Sequence, residues 1–353
     1  MKTIAQPAQP AEPAALDERV ARKSPLRRLL GRPEIGALIG ALALFVFFGV
    51  TADTFLTANA FSTILYASST FGIMAVSVSL LMIGGEFDLS AGVMVTTSAL
   101  VASMFSYQLS LNVWVGVAVS LAVSLALGFV NGLLYVKTGL PSFIITLGTF
   151  FMLAGANLGV TKAISDNVAT QSIADMAGFQ AAKDVFASDL PIFGIQVKIT
   201  VLWWLVMVAA ATWLLLRTRA GNWIFAVGGS AESARAVGVP VVKTKIALFM
   251  GVAFTAWFSG MHLLFAFDSV QSGEGVGNEF FYIICAVIGG CLLTGGYGSA
   301  VGAAIGAFIF GMTNKGIIYA EWNPDWFKFF LGAMLLIATV VNLVVRRRAE
   351  VSE

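Results

Sequence analysis

Charge is what this chain has least of. Asp, Glu, Lys and Arg make up 11% of its 353 residues, against about 25% in a soluble domain. That shortage excludes an ordinary water-facing surface. Histidine occurs once, as His262, and cysteine twice, as Cys285 and Cys291. A single histidine offers no metal-ligating cluster and no paired acid–base site. Two cysteines six positions apart do not share a helix face, so they read as small apolar fillers rather than a disulfide or a metal site. There is no GxxxxGK[ST] phosphate loop, so ATP is not bound here in that way, and no HExxH. Ser259 and His262 share one apolar run without the other parts of a hydrolytic site. We therefore expect no catalytic residue, no metal and no cofactor. The net charge of +2 gives no footing for a nucleic-acid partner.

What is abundant points one way. The chain is 58% hydrophobic, with 28 Phe and 36 Gly, the composition of a polytopic membrane protein whose helices pack closely over glycine. A spanning helix needs about 20 mainly apolar residues. Ten stretches qualify: 35–52, 62–83, 91–107, 112–136, 141–160, 198–216, 245–267, 279–293, 299–318 and 326–345. The eighth is short and ends in glycines, so it is either a full span or re-entrant. Residues 1–34, rich in Ala, Pro, Gln and then Arg, cannot bury a core and are expected to be a disordered, basic N-terminal segment. The expected organisation is therefore a membrane domain over 35–345, interrupted by a polar insert at 217–244, with a tail at 346–353. With both termini in the cytoplasm, 16 of the 21 basic residues fall on that side, leaving Lys162, Lys183, Lys198, Lys315 and Lys328 outside. This is the positive-inside bias. The fold class is thus all-α, with about ten transmembrane helices.

Four stretches carry chemistry or geometry of their own. In the insert, "GGSAESARAVGVP" reads as a turn at Gly228 and Gly229, an N-cap at Ser230, a short helix over 231–237, a stop at Gly238 and Pro240 beyond it. Its small side chains and lack of a large apolar face suit close docking better than lipid anchoring; a plain structured loop is the alternative. In "LLMIGGEFDLSAGVMV", Gly84 and Gly85 break a helix, and Asp88 and Ser90 are placed to cap the next one. In "LPSFIITLGTFFMLAGANLGV", Thr146, Thr149 and Asn157 put polar groups on an apolar helix. They can line a neutral pathway or hydrogen-bond between helices. In "AVIGGCLLTGGYGSAVGAAIGAFIFGMTNKG", Gly298, Gly302 and Gly306 are spaced by four as a packing seam, and Asn314 is a further pathway candidate. The Ile-Gly-Gly break recurs at 83–85 and 288–290, a trace of internal duplication.

These four stretches resemble, in order, the signatures of the permease subunits of ribose/xylose-type sugar ABC importers. "GGEFDLSAG" resembles GG-IDLS-VG, "PSFIITLGT" resembles PxFIxTLGT, and "WIFAVGGSAESARAVGV" resembles YAxGGNxxAAxxSGI. "AVIGGCLLTGGYGSAVGAAIGA" resembles AAVxIGGxSLxGGxGSxxGxxxGA. The resemblance spans about 80–310. It implies an inner-membrane permease that passes a monosaccharide or related polyol. The insert would be a coupling helix that docks into a separate ATPase subunit, with Glu232, Ala234, Arg235 and Gly238 at or beside that contact. The implied partners are the ATPase subunit, which binds the ATP, a second permease chain expected to be identical, an extracytoplasmic sugar-binding protein, and lipid. The chain departs from the pattern at Glu86, Ser230, Cys291 and Tyr297, which leaves the sugar open. The rival reading is an ion-coupled secondary transporter of a small polar solute. It would need a deep acidic residue, and only Glu86 and Asp88 offer one.

Overall fold

The computed structural model describes residues 33–192 and 194–351. The expected N-terminal segment lies almost wholly outside the described residues. The rest is helical: α1 (Pro33–Thr51), α2 (Ala58–Ile83), α3 (Ala91–Gln108), α4 (Val113–Thr138), α5 (Ser142–Ser165), α6 (Phe179–Phe186), α7 (Ile199–Arg217), α8 (Arg219–Gly229), α9 (Ala231–Ala236), α10 (Val241–Phe267), α11 (Asn278–Ile288), α12 (Ala300–Tyr319) and α13 (Phe327–Val351). Short polar side chains start many of them. Thr57, Asn112, Thr218 and Ser299 each accept a hydrogen bond from a backbone N–H in the first turn of the helix that follows, satisfying donors that have no partner inside the helix.

Every one of the ten apolar stretches forms a helix, but they are not equivalent. Among the described residues, seven helices are long and apolar enough to cross a membrane: α1, α2, α4, α5, α7, α10 and α12. The eighth stretch, expected over 279–293, is corrected to an 11-residue helix, α11. At 1.5 Å per residue it is about 16 Å long, roughly half of a hydrocarbon core of about 30 Å. It is reached through an irregular connection over 268–277. The last helix runs on to Val351, so residues 346–351 extend α13. The connection after α5, which the sequence leaves as a loop, is folded. It contains α6 and a two-stranded antiparallel hairpin, β1 (Asp189–Ile192) with β2 (Ile195–Lys198).

Burial sorts the helices into two shells. The apolar windows of α2 and α10 are 72% and 78% buried, whereas that of α5 is 11% buried. α2, α3, α10 and α12 form the centre, and α1, α5 and α7 lie outside it. Close approach at the centre rests on glycine. A Cβ on Gly260 of α10 would stand 2.5 Å from the Val95 carbonyl oxygen of α3, and one on Gly311 of α12 would stand 2.9 Å from that of Ile64 in α2. α5 inverts the pattern of a soluble amphipathic helix. Its buried residues are Ser142, Thr146, Asn157 and Thr161, while Phe151 and Met152 are exposed. Such a helix is stable only where the surroundings are apolar and the polar groups find partners inside.

The chain's turns gather at two ends. At one, Val113 N–H donates to Ala177 O, which ties the 166–198 connection to the start of α4, and Thr170 N–H to Val270 O and Ser272 N–H to Val168 O, which sew it to the 268–277 connection. At the other lie the helix breaks after α2 and α11 and the insert α8–α9.

Candidate functional site

The first break begins where α2 ends. Gly84 caps it, Gly85 takes φ +86°, and residues 86–90 lead irregularly into α3. Their N–H groups are met by side chains of α5. Phe87 N–H donates to Ser142 Oγ at 3.1 Å and Leu89 N–H to Thr146 Oγ1 at 3.0 Å. Ser142 and Thr146 are four residues apart, one turn or about 6 Å of helix, and meet alternate N–H groups of the break. Thr149 joins one step removed. It donates to Asn131 Oδ1 (2.7 Å), Asn131 Nδ2 donates to Ser90 Oγ (3.1 Å), and Ser90 Oγ donates to Asp88 Oδ1 (2.5 Å). The capping expected of Ser90 is corrected. Ser90 has helical dihedrals, not the extended ones of a capping residue, and its side chain accepts nothing from α3. Asp88 closes the turn by accepting from Ser90 N–H at 2.8 Å. Its second oxygen, Oδ2, is buried without a hydrogen-bond partner. Asn157 lies further along α5 and bonds to α3, accepting from Thr97 Oγ1 at 3.0 Å.

A buried ion pair ties this break to α10. Lys245, in the second turn of that helix, donates to Gly84 O at 2.8 Å and to Glu86 Oε1. Both side chains are nearly inaccessible, at 4% and 8% exposed. The Lys245 Nζ also stands 5.4 Å from the centre of the Tyr135 ring, a cation–π contact. Glu86, the acidic departure in the motif, thus has a specific partner. Lys245 was missed at the sequence level. The available signal was a lysine four residues inside an apolar helix, just after the insert.

The second break repeats the first in its opening. Gly289 has φ −67° and ψ −2°, against −67° and −4° at Gly84. Gly290 has φ +94°, against +86° at Gly85. The two breaks touch: Gly296 N–H donates to Ile83 O at 2.8 Å. Gly228 of the insert completes the junction. A Cβ there would fall 1.7 Å from Ile83 O and 2.7 Å from Gly296 N, so only glycine lets the three segments meet. Gly302 and Gly306 place α12 on α11, where a Cβ would stand 2.1 Å from Gly289 O and 2.0 Å from Cys285 O respectively. Gly298 is corrected as a member of a helical seam: it precedes the Ser299 N-cap, with φ +154°.

The insert itself is two helices. Gly228 and Gly229 end α8 rather than forming a free turn. Ser230 then caps α9 by accepting from Ser233 N–H at 3.2 Å. Gly238 ends it with φ +84°, a conformation that L side chains resist. Glu232, Arg235 and Gly238 are exposed, and so is Val237, at 79%. Ala234 is buried against Val227 and Val241, so it holds the helix down and does not present itself outward.

Between α2, α3, α10, α11 and the 268–277 connection lies a cavity of about 160 Å³. Tyr66, Thr70, Thr96, Ser259, His262 and Asn278 supply its polar wall, Phe71, Phe267 and Tyr282 its aromatic wall, and Glu274 adds a carboxyl from the connection. His262 is held at both nitrogens, by Phe186 O at 2.9 Å and the Tyr66 hydroxyl at 3.0 Å. A carbonyl only accepts, so Nδ1 carries a proton. The side chains named from sequence as pathway candidates are elsewhere. Thr146, Thr149 and Asn157 lie between α5 and its neighbours, and Asn314 is half-buried on α12; none of the four lines this cavity.

Long apolar helices broken in the bundle, with a polar cavity inside and an exposed helical insert at one end, define a membrane transport component. Residues 60–339 match the family described as branched-chain amino acid transport system / permease component, and the chain belongs to that family. It is similar to the ribose import permease protein RbsC of Escherichia coli (strain K12), 30% identical over 308 residues, 87% of this chain and 92% of that protein. It is also similar to the fructose import permease protein FrcC of Rhizobium meliloti, 27% identical over 318 residues (88% and 85%). The galactose/methyl galactoside import permease protein MglC of Haemophilus influenzae is 29% identical over 301 residues (82% and 88%). No solved structure matches the chain. The protein is therefore a multi-pass inner-membrane permease, a transport component and not an enzyme. The ion-coupled alternative finds no support among these relatives.

Proposed function

We propose that the chain forms the translocation pathway of an ATP-driven importer for a monosaccharide or related polyol, and that α8–α9 couples it to a separate ATPase subunit. The observation that carries the reading is the glycine junction. Gly228 of the insert lies directly on Ile83 and Gly296, so a push on α9 reaches both helix breaks through backbone contacts. Exposed Glu232, Arg235 and Gly238 are the docking face, and Ala234 is its inner anchor. The side-chain bonds from Ser142 and Thr146, and from Thr149 through Asn131, support the first break rather than lining the route. The sugar class follows from the names of the three relatives, which import ribose, fructose and galactose.

On this reading the chain crosses the membrane ten times, the eighth crossing being the 268–277 connection plus α11. The basic residues put the insert and both termini in the cytoplasm, and α6 with the hairpin outside. A second copy of the chain completes the membrane unit, and a sugar-binding protein delivers to the α6 side. Reconstitution tests the whole. Proteoliposomes holding the permease, its ATPase subunit and its binding protein should accumulate labelled sugar only when all three and ATP are present. Accumulation driven by a proton or sodium gradient without ATP would defeat the proposal. Cysteine substituted at Asp184 should react with an impermeant reagent added outside cells, and cysteine at Glu232 should not; the reverse pattern inverts the topology.

A further inference from the structure

We propose that the cavity between α2, α3, α10 and α11 is a holding site for the transported molecule, and that it takes a neutral, polyhydroxylated ring. This rests on the importer reading above and adds the site and its selectivity. Two hydroxyls carry it. Thr96 Oγ1 and Ser259 Oγ are buried without a hydrogen-bond partner, although both residues line the cavity. Their neighbours show what a helical hydroxyl in an apolar setting ordinarily does. Thr97 donates to Val93 O and Ser98 to Val95 O, at 2.9 and 2.8 Å. Thr96 and Ser259 have the same option and leave it unused, so burying them costs stability unless something else accepts or donates there.

The rest of the wall narrows the chemistry. Among the described residues no Lys or Arg lines the cavity, so neither a carboxylate nor a phosphate finds a countercharge, and an amino acid zwitterion would leave its carboxylate unpaired. Both nitrogens of His262 are occupied, by the Tyr66 hydroxyl and Phe186 O. The exposed Glu274 carboxyl on the connection disfavours an anion further. Hydroxyls can both donate and accept, which suits a sugar whose hydroxyl orientation varies around the ring. Phe71 and Tyr282, with ring centres 5.9 Å apart and planes inclined at 48°, give an apolar wall against which the C–H groups of such a ring can pack.

The test uses the full transporter in proteoliposomes with labelled D-ribose, D-fructose, D-galactose and L-leucine. Thr96→Val and Ser259→Ala each remove an unpartnered hydroxyl, so they should fold at least as well as the parent. Each should slow sugar import by about tenfold, the worth of one hydrogen bond in a dry site, while ATP hydrolysis stimulated by the loaded binding protein is unchanged. Ser98→Ala, which removes a hydroxyl already bonded within its own helix, is the matched control and should import at the parental rate. Sugar import by the parent with no loss in either variant overturns the site alone. Leucine import that both variants impair overturns the substrate class but keeps the site. Failure of the parent to import any of the three sugars overturns the importer reading and this proposal with it.

Discussion

The two helix breaks open alike and are held differently. After α2 and after α11 the chain reads Ile-Gly-Gly, and the two helix ends share their capping dihedrals within a few degrees. Beyond that point the first break is held by side chains: Ser142 and Thr146 on its N–H groups, Lys245 on Gly84 O and Glu86. The second is held by backbone on backbone, with Gly289 against Gly302 and Gly296 against Ile83. Side-chain bonds can be exchanged one at a time as helices shift. A contact in which no Cβ fits has one geometry or none. The comparison therefore assigns adjustable support to the first break and a rigid seat to the second, with the insert's Gly228 pressed between them.

Substitutions should separate the two kinds of support. The largest effect is expected at Gly302→Leu. Its first side-chain carbon would meet the Gly289 carbonyl at 2.1 Å, and backbone cannot move aside as a side chain can. The cost should exceed the about 1–3 kcal/mol of ordinary overpacking, and size-exclusion profiles in detergent should show loss of folded protein. Normal folding would mean the second break is as adaptable as the first.

Next in size is Lys245→Met, which strands Glu86 in a buried site. Breaking one side of such a pair costs about 3–5 kcal/mol. The double variant Glu86→Gln with Lys245→Met should recover most of the lost thermal stability, because both charges are gone. A double variant no better than the single would mean the pair carries no coupling.

Smaller losses are expected on α5. Thr146→Val leaves the Leu89 N–H without its acceptor, at about 1–3 kcal/mol, and hydrogen exchange at that amide should accelerate while exchange at Gly296 stays slow. Equal acceleration at both would show that the breaks loosen as one unit.

The smallest effect on stability, and a full effect on coupling, is expected at Arg235→Glu. The side chain is exposed on α9, so thermal stability should shift by no more than about 0.5 kcal/mol. Capture of the ATPase subunit and ATP-driven uptake should both fail. Retention of both would make the insert an ordinary loop.

What was legible in the residues follows from where each signal resides. Ser230 and Gly238 bound α9 as read, because an N-cap hydroxyl and a left-handed stop act within a few residues. Gly84 and Gly85 break the chain for the same local reason. Ser90 did not behave as read. A cap needs extended dihedrals as well as a hydroxyl, and the break leaves Ser90 with helical ones. Thr146 and Thr149 were legible as polar residues on an apolar helix, but not their partners, since Leu89 N–H and Asn131 are distant in sequence. Gly298 fits a four-residue spacing yet lies outside the helix, because spacing does not tell which side of a cap a residue falls on.

The sequence by itself determined the solvent. Its shortage of charge and ten apolar stretches demand lipid around most helices, and helices are the form in which a single segment satisfies its own backbone there. It also determined the bounds of α9, where the Ser230 cap and the Gly238 stop act locally. Only the tertiary structure decided that Glu86 meets Lys245 across 159 residues, that α5 turns its polar face inward, and that Thr96 and Ser259 share one cavity. Such pairings depend on which faces of separate helices come together. A membrane makes that choice hard to read, because the lipid-facing and the buried sides of a helix are both apolar.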